Sequence, residues 1–136
     1  MTRTSKPSYY LSIAKAVSDR STCLRRHYGA VIVKDDEIIA TGYNGSARGA
    51  TNCCDTGRCY REGHKHNDGD YSQCPAVHAE MNAIISAARR DMIGATLYLY
   101  GGDAETGKTV KAVPCPICDR LIQNAGITSV IGSDGE

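Results

Sequence analysis

Tyr9, Tyr10, Ile13, Ala14 and Val17 recur at the three- and four-residue spacing of a helix face, which predicts an amphipathic helix over residues 8–20. Ala30 to Val33 is a short apolar run; Asp35 and Asp36 interrupt it, and Ile38 to Thr41 resume it, as in a β-hairpin. Gly42-Tyr43-Asn44-Gly45 then closes the second strand with a turn. Residues 46–76 lose apolar periodicity and are rich in Gly, Asn, Asp, Cys and His. A structureless loop of that length is uncommon inside a compact domain, so something must hold it. Good helix formers dominate residues 77–90, an alternating strand pattern covers 96–100, and 101–109 reads as an exposed turn. A second helix is predicted over residues 114–125, with Pro near its start and Gly126 just past its end, followed by a strand over 127–131. The late alternation of strand and helix predicts an α/β fold, a central sheet with helices packed on its faces.

The 136 residues suit a single domain over 1–136. With 41% apolar and 23% charged residues, the composition excludes wholesale disorder and a coiled-coil rod. No run of 18 apolar residues offers a membrane-spanning helix. The polar first residues lack the apolar region of a secretory leader, so a cytoplasmic location is expected. A net charge of +1 provides no whole-molecule attraction to nucleic acid or to a membrane surface.

The cysteines change this picture. There are seven, an odd number, which argues against a disulfide framework and for metal ligation in a reducing compartment. An isolated cysteine is more often a small buried hydrophobe. The strongest pattern is His78-Ala79-Glu80 followed by Pro114-Cys115-Pro116-Ile117-Cys118, the H-x-E…P-C-x-x-C arrangement of zinc deaminases. A catalytic zinc uses three protein ligands and keeps a fourth position for water. His78, Cys115 and Cys118 supply one nitrogen and two thiolates, and Glu80 is the acid/base candidate. The Cys pair sits on the opening turn of a predicted helix, where unpaired N–H groups stabilise thiolates. His78 and Glu80, two residues apart, converge on one pocket only if a helix begins there.

With those motifs, Ser21-Thr22-Cys23-Leu24-Arg25 and Gly42-Tyr43-Asn44-Gly45-Ser46 complete a resemblance to the deoxycytidylate (dCMP) deaminase branch of the cytidine deaminase superfamily. The likeness runs over residues 8–131. It implies a three-layer α/β/α fold with a central mixed sheet, homo-oligomeric assembly, and hydrolysis of dCMP to dUMP and ammonia. It implies that Glu80 takes a proton from water, passes it to the ring nitrogen and then protonates the leaving amine. It places Asn44 and the main chain of Ala79 against the substrate and Arg25 against the 5′-phosphate, with Arg26 as the adjacent alternative. It also implies a second, structural zinc held by Cys23, Cys53, Cys59 and Cys74, with His64 and His66 as competing ligands and Cys54 as the spare thiol. A four-thiolate zinc suits a loop that has no core of its own.

The sequence departs from the family in two places. Residues 101–113 separate the third strand from the Cys pair where relatives have only a few residues, so this insertion is expected beside the substrate pocket. The sequence also stops five residues after Ile131, where many relatives continue with another strand and helix. Two other readings compete: a deaminase of another cytosine nucleoside or a modified pyrimidine, and a non-catalytic zinc scaffold of the competence-accessory kind. A scaffold would not need Glu80, which is not required as a ligand.

Overall fold

The computed structural model describes residues 2–66 and 71–136. Helix α1 (Lys6–Ser18) starts where Ser5 accepts the Ser8 N–H through its hydroxyl, with Pro7 in the first turn. Strands β1 (Arg26–Lys34) and β2 (Glu37–Tyr43) form an antiparallel hairpin. Its turn residues Asp35 and Asp36 have φ of 51° and 63°, the left-handed pair that matches the twist of hairpin strands. The hairpin is longer than the apolar runs alone predict, because β1 continues through the polar residues Arg26 and His27.

The described residues of the long cysteine-rich segment and its borders form three short elements. Strand β3 (Gly45–Ser46) pairs with β4 (Ala76–Val77), and one turn of helix, α2 (Cys53–Thr56), lies between them. The β3–β4 pair pins the two ends of this segment together. The helix expected over 77–90 is instead two short pieces, α3 (Ala79–Ile85) and α4 (Arg89–Met92). Ala88, extended at φ −80° and ψ 141°, separates them, so helix propensity yields to the chain path there. Strand β5 (Thr96–Asp103) runs further than predicted and folds back through β6 (Thr109–Val110). The presumed exposed turn is therefore a β-hairpin. Helix α5 (Pro116–Asn124) and strand β7 (Ser129–Gly132) complete the order.

The main sheet runs β2-β1-β5-β6. Strand β7 joins the same edge of β5 as β6, parallel to it through Thr96–Leu99, while the other pairs are antiparallel. The sheet is mixed, as expected. Period-2 alternation divides its faces. Val31, Val33, Tyr98 and Tyr100 pack with Tyr10 and Ala14 of α1 on one side. Ala30, Ile32, Leu97 and Leu99 pack with Ala83 of α3 and Ile122 of α5 on the other. Three layers result, with β1 and β5 buried on both faces. Among the described residues, no helix is long and apolar enough to cross a membrane.

Two glycines permit this stacking. A Cβ on Gly29 would lie 2.7 Å from the Ser18 nitrogen, and one on Gly42 would lie 2.5 Å from the Ala79 oxygen. The first lets α1 approach β1; the second lets α3, which carries Glu80, approach β2.

Candidate active site

His78 is the N-cap of α3, extended at φ −69° and ψ 153°, and its imidazole makes no capping bond. The helix thus begins one residue later, and Glu80 falls in its first turn. This is the condition under which two residues spaced i and i+2 face one pocket. Cys115 is the N-cap of α5, its sulfur accepting the Cys118 N–H at 3.4 Å, with Pro116 next in the chain. Each motif therefore sits at a helix start, and packing of α3 beside α5 brings the starts together.

His78 Nδ1 lies 3.3 Å from Cys118 Sγ and 3.6 Å from Cys115 Sγ. The three ligand atoms all lie within 4.8 Å of one another. Zinc bonds of about 2.0–2.1 Å to nitrogen and 2.3 Å to sulfur place such atoms roughly 3.6 Å apart at a tetrahedral angle. The spacing therefore fits a zinc. The chemistry of the donors fits as well. Cys118 is fully buried, and burial, followed by the nearby Glu80, pushes its thiol pKa well up. A thiolate in that position requires a cation beside it.

Glu80 is only 5% exposed. Burial raises its carboxyl pKa, opposed by a bond to its own backbone N–H, by His78 and by the Cys118 thiol. Such an environment brings a carboxyl nearer the range useful for proton transfer. Ala79, fully buried, lines the cavity between His78 and Glu80.

The cavity has a volume of about 390 Å³ and is lined by His78, Glu80 and Cys115 and also by the charged Arg25, Arg26 and Asp103. Asn44 lines it with its amide held on both sides. Asn44 Oδ1 accepts from the Ser21 hydroxyl at 2.6 Å and the Tyr28 N–H at 2.8 Å, while Nδ2 donates to the Arg26 carbonyl at 2.9 Å. What remains for a substrate is one N–H, so Asn44 can only donate. The Arg25 guanidinium donates to the Arg61 carbonyl at 3.0 Å and to the His64 carbonyl. It ties the cysteine-rich segment to the start of β1.

Cys23, Cys59 and Cys74 also line the cavity. Cys53 is near them: burial raises its thiol pKa, and Cys23, Cys74, Cys59 and Cys54 raise it further. His64 offers its carbonyl to Arg25. His66 Nε2 lies 3.3 Å from the Tyr28 hydroxyl, with the rings stacked.

Several cavity residues carry no sequence signal. Tyr28 and Tyr71 line the wall, and Arg61, 3% exposed, stacks its guanidinium 3.5 Å above the Tyr71 ring. Arg61 and Tyr71 lie in the segment without periodicity, where nothing marks one residue over another. Asp103 and Glu105 enter the wall from the β5–β6 hairpin. Their only sequence mark is the unusual length of the 101–113 insertion.

Residues 4–133 match the family described as the cytidine and deoxycytidylate deaminase zinc-binding region. The chain is 41% identical to the deoxycytidylate deaminase of Mycobacterium phage D29, over 96% of each protein. It is 38% identical to the deoxycytidylate deaminase of Saccharomyces cerevisiae, over 96% of this chain and 38% of that longer one. Among solved structures, the dCMP deaminase of cyanophage S-TIM5 in complex with dCMP and dUMP is similar at a TM-score of 0.66 and 27% identity. The match covers 97% of this chain and 83% of that one.

Proposed function

The chain belongs to the cytidine and deoxycytidylate deaminase family, and from that membership we propose that it hydrolyses dCMP to dUMP and ammonia. One observation carries the reading. A buried carboxyl, Glu80, shares a cavity with a His–Cys–Cys set of zinc geometry, in a chain similar to the phage D29 enzyme along its whole length.

In this reading His78, Cys115 and Cys118 hold zinc, which supplies the Lewis acidity that makes a water nucleophilic near neutral pH. Glu80 accepts a proton from the water as its oxygen bonds to C4 of the cytosine. Glu80 then delivers that proton to the ring nitrogen N3. Glu80 next takes the proton of the new C4 hydroxyl and passes it to the amine, so that the C4 carbonyl forms as the C4–N bond breaks and ammonia leaves. Burial serves both roles, because a carboxyl with a raised pKa gives up its proton as well as taking one. The Ala79 main chain borders the base, and the remaining Asn44 N–H is available to a substrate oxygen. The phosphate lies toward Arg25 and Arg26.

A second zinc on Cys23, Cys53, Cys59 and Cys74 belongs to the same proposal. The influence of Cys23, Cys74 and Cys59 on the Cys53 thiol, and the few buried apolar residues described in that segment, favour it. Homo-oligomeric assembly is proposed as well, favoured by exposed Ile85 on α3 and Ile117 and Leu121 on α5. A cytoplasmic setting suits seven free cysteines.

The test is a substrate comparison. Zinc-loaded protein is incubated with dCMP, CMP, deoxycytidine and cytidine, and ammonia release is followed. Preferential turnover of dCMP is expected. Turnover of nucleosides alone would move the substrate, and no turnover with zinc bound would remove the reading.

A further inference from the structure

The β5–β6 hairpin has no part in the chemistry above, yet it contributes Asp103 and Glu105 to the wall of the same cavity. Its position relative to the arginines is fixed by the sheet. Arg26 and Asp103 are direct cross-strand partners of β1 and β5, so both side chains project from the same face. The Ala104 N–H donates to the Arg25 carbonyl at 3.1 Å, which fastens the hairpin to the arginine pair.

The three guanidinium groups that line the cavity are not equivalent. Arg25 is engaged with two main-chain carbonyls, and Arg61 is buried, stacked on Tyr71 and bonded to the Lys65 carbonyl at 2.6 Å. Arg26 lines the cavity, and among the described residues no carboxylate lies within 4.0 Å of its guanidinium. It shares a side-chain hydrogen bond with Tyr28, and its charge has no ion-pair partner among the described residues. Asp103 is held in place by its turn: Oδ1 accepts the Glu105 N–H and the Thr106 N–H, both at 2.9 Å. These two bonds hold the Asp103 carboxyl below the ordinary carboxylate range, with a smaller contribution from Arg26. It is therefore a fixed negative charge. Glu105, two residues further and exposed, adds another negative charge.

We propose that Arg26, Asp103 and Glu105 form a charge gate that selects a nucleoside monophosphate over its di- and triphosphate. Arg26 takes one phosphate group, and the two hairpin carboxylates repel any further one. The inference rests on the dCMP reading, which sets which part of the cavity receives phosphate. The physical basis is simple. A held carboxylate and a second, exposed one beside a cation without an ion-pair partner leave room for one phosphate, and each additional phosphate brings like charges together.

The experiment uses zinc-loaded protein at low ionic strength, without added magnesium, because a divalent ion would bridge phosphates to carboxylates. Turnover of deoxycytidine, dCMP, dCDP and dCTP is measured for the wild type and for Asp103→Asn/Glu105→Gln. The Asn side-chain oxygen can still accept both turn N–H groups, so the substitution removes charge while keeping the hairpin bonds. Matching thermal melts verify the fold. The wild type should prefer dCMP to dCTP, and the double variant should shrink that preference by roughly tenfold, less at high salt. Deoxycytidine should respond least, since it carries no charge. A folded variant with an unchanged dCMP-to-dCTP ratio, or one that rejects dCTP more strongly, would overturn the gate. Wild-type protein with bound zinc that turns over none of the four would instead overturn the dCMP reading, so the two failures are distinct.

Discussion

His78 Nδ1 lies 3.3 Å from Cys118 Sγ, although 40 residues of chain separate them. Neither residue tolerates that proximity cheaply in isolation, since the thiol is fully buried beside a carboxyl. The pair is explained by an ion between them. His78→Ala or Cys118→Ser should therefore lose zinc and activity together. Glu80→Gln should keep zinc and the thermal melt but lower turnover by about 10²–10⁴-fold, the usual worth of a positioned proton carrier. Zinc content measured beside the rate separates these variants. A Glu80→Gln enzyme of near wild-type rate would show that the proton travels elsewhere.

The cysteine-rich segment makes a stoichiometric prediction. Protein purified without chelator should contain about two zinc per chain, and Cys53→Ser or Cys59→Ser should reduce that to about one. Elemental analysis is the measurement. The same variants should melt earlier, because the segment has few buried apolar residues to replace the metal. A wild type with a single zinc would refute the four-thiolate site.

Tyr10 and Asp36 predict how stability responds to alkali. The Tyr10 hydroxyl donates to the Asp36 carboxylate, which with burial pushes its pKa from 10 up to about 12. The folded state therefore holds this proton more tightly than the unfolded chain. The resulting stability is complete below pH 10 and is lost as pH rises through about 12. Asp36 is lowered, by the Tyr10 hydrogen bond first and by Lys6 as well, so its contribution disappears only as pH falls through that lowered value. Tyr10→Phe should flatten the alkaline fall in melting temperature between about pH 10 and 12. Identical slopes for variant and wild type would contradict the pairing.

Gly42 sets how closely α3 sits on β2. A Cβ there would meet the Ala79 oxygen at 2.5 Å and the Asn82 carbonyl carbon at 2.9 Å, both main-chain atoms that cannot swing away. Gly42→Ala should cost about 1–3 kcal/mol of stability, as overpacking does, and should displace the helix that carries Glu80. Denaturant unfolding reads the first effect and turnover the second. Gly57→Ala, where an added Cβ meets nothing within 4 Å but φ is +70°, tests backbone strain without collision.

Much of this protein was written locally. Apolar runs and spacing located α1, the β1–β2 hairpin and β7, because each buries a face against a neighbour, while Pro near its start and Gly126 past its end marked α5. The grouping of His78, Cys115 and Cys118 near Glu80 was legible for a different reason: zinc accepts few donor types, and the spacing of those donors betrays a helix start. Other features depend on contacts between distant segments. The break between α3 and α4 lies in a stretch of good helix formers, and only the path around the sheet decides it. The strand continuation to Asp103 uses Gly101 and Gly102, weak strand formers that β1 and β6 hold from either side. Arg25 bonds carbonyls 36 and 39 residues away, and strand register sets Arg26 opposite Asp103. Short-range pattern determines which residues can do chemistry; register and helix packing determine which of them meet, because a hydrogen-bonded ladder aligns residues that have no neighbourhood in sequence.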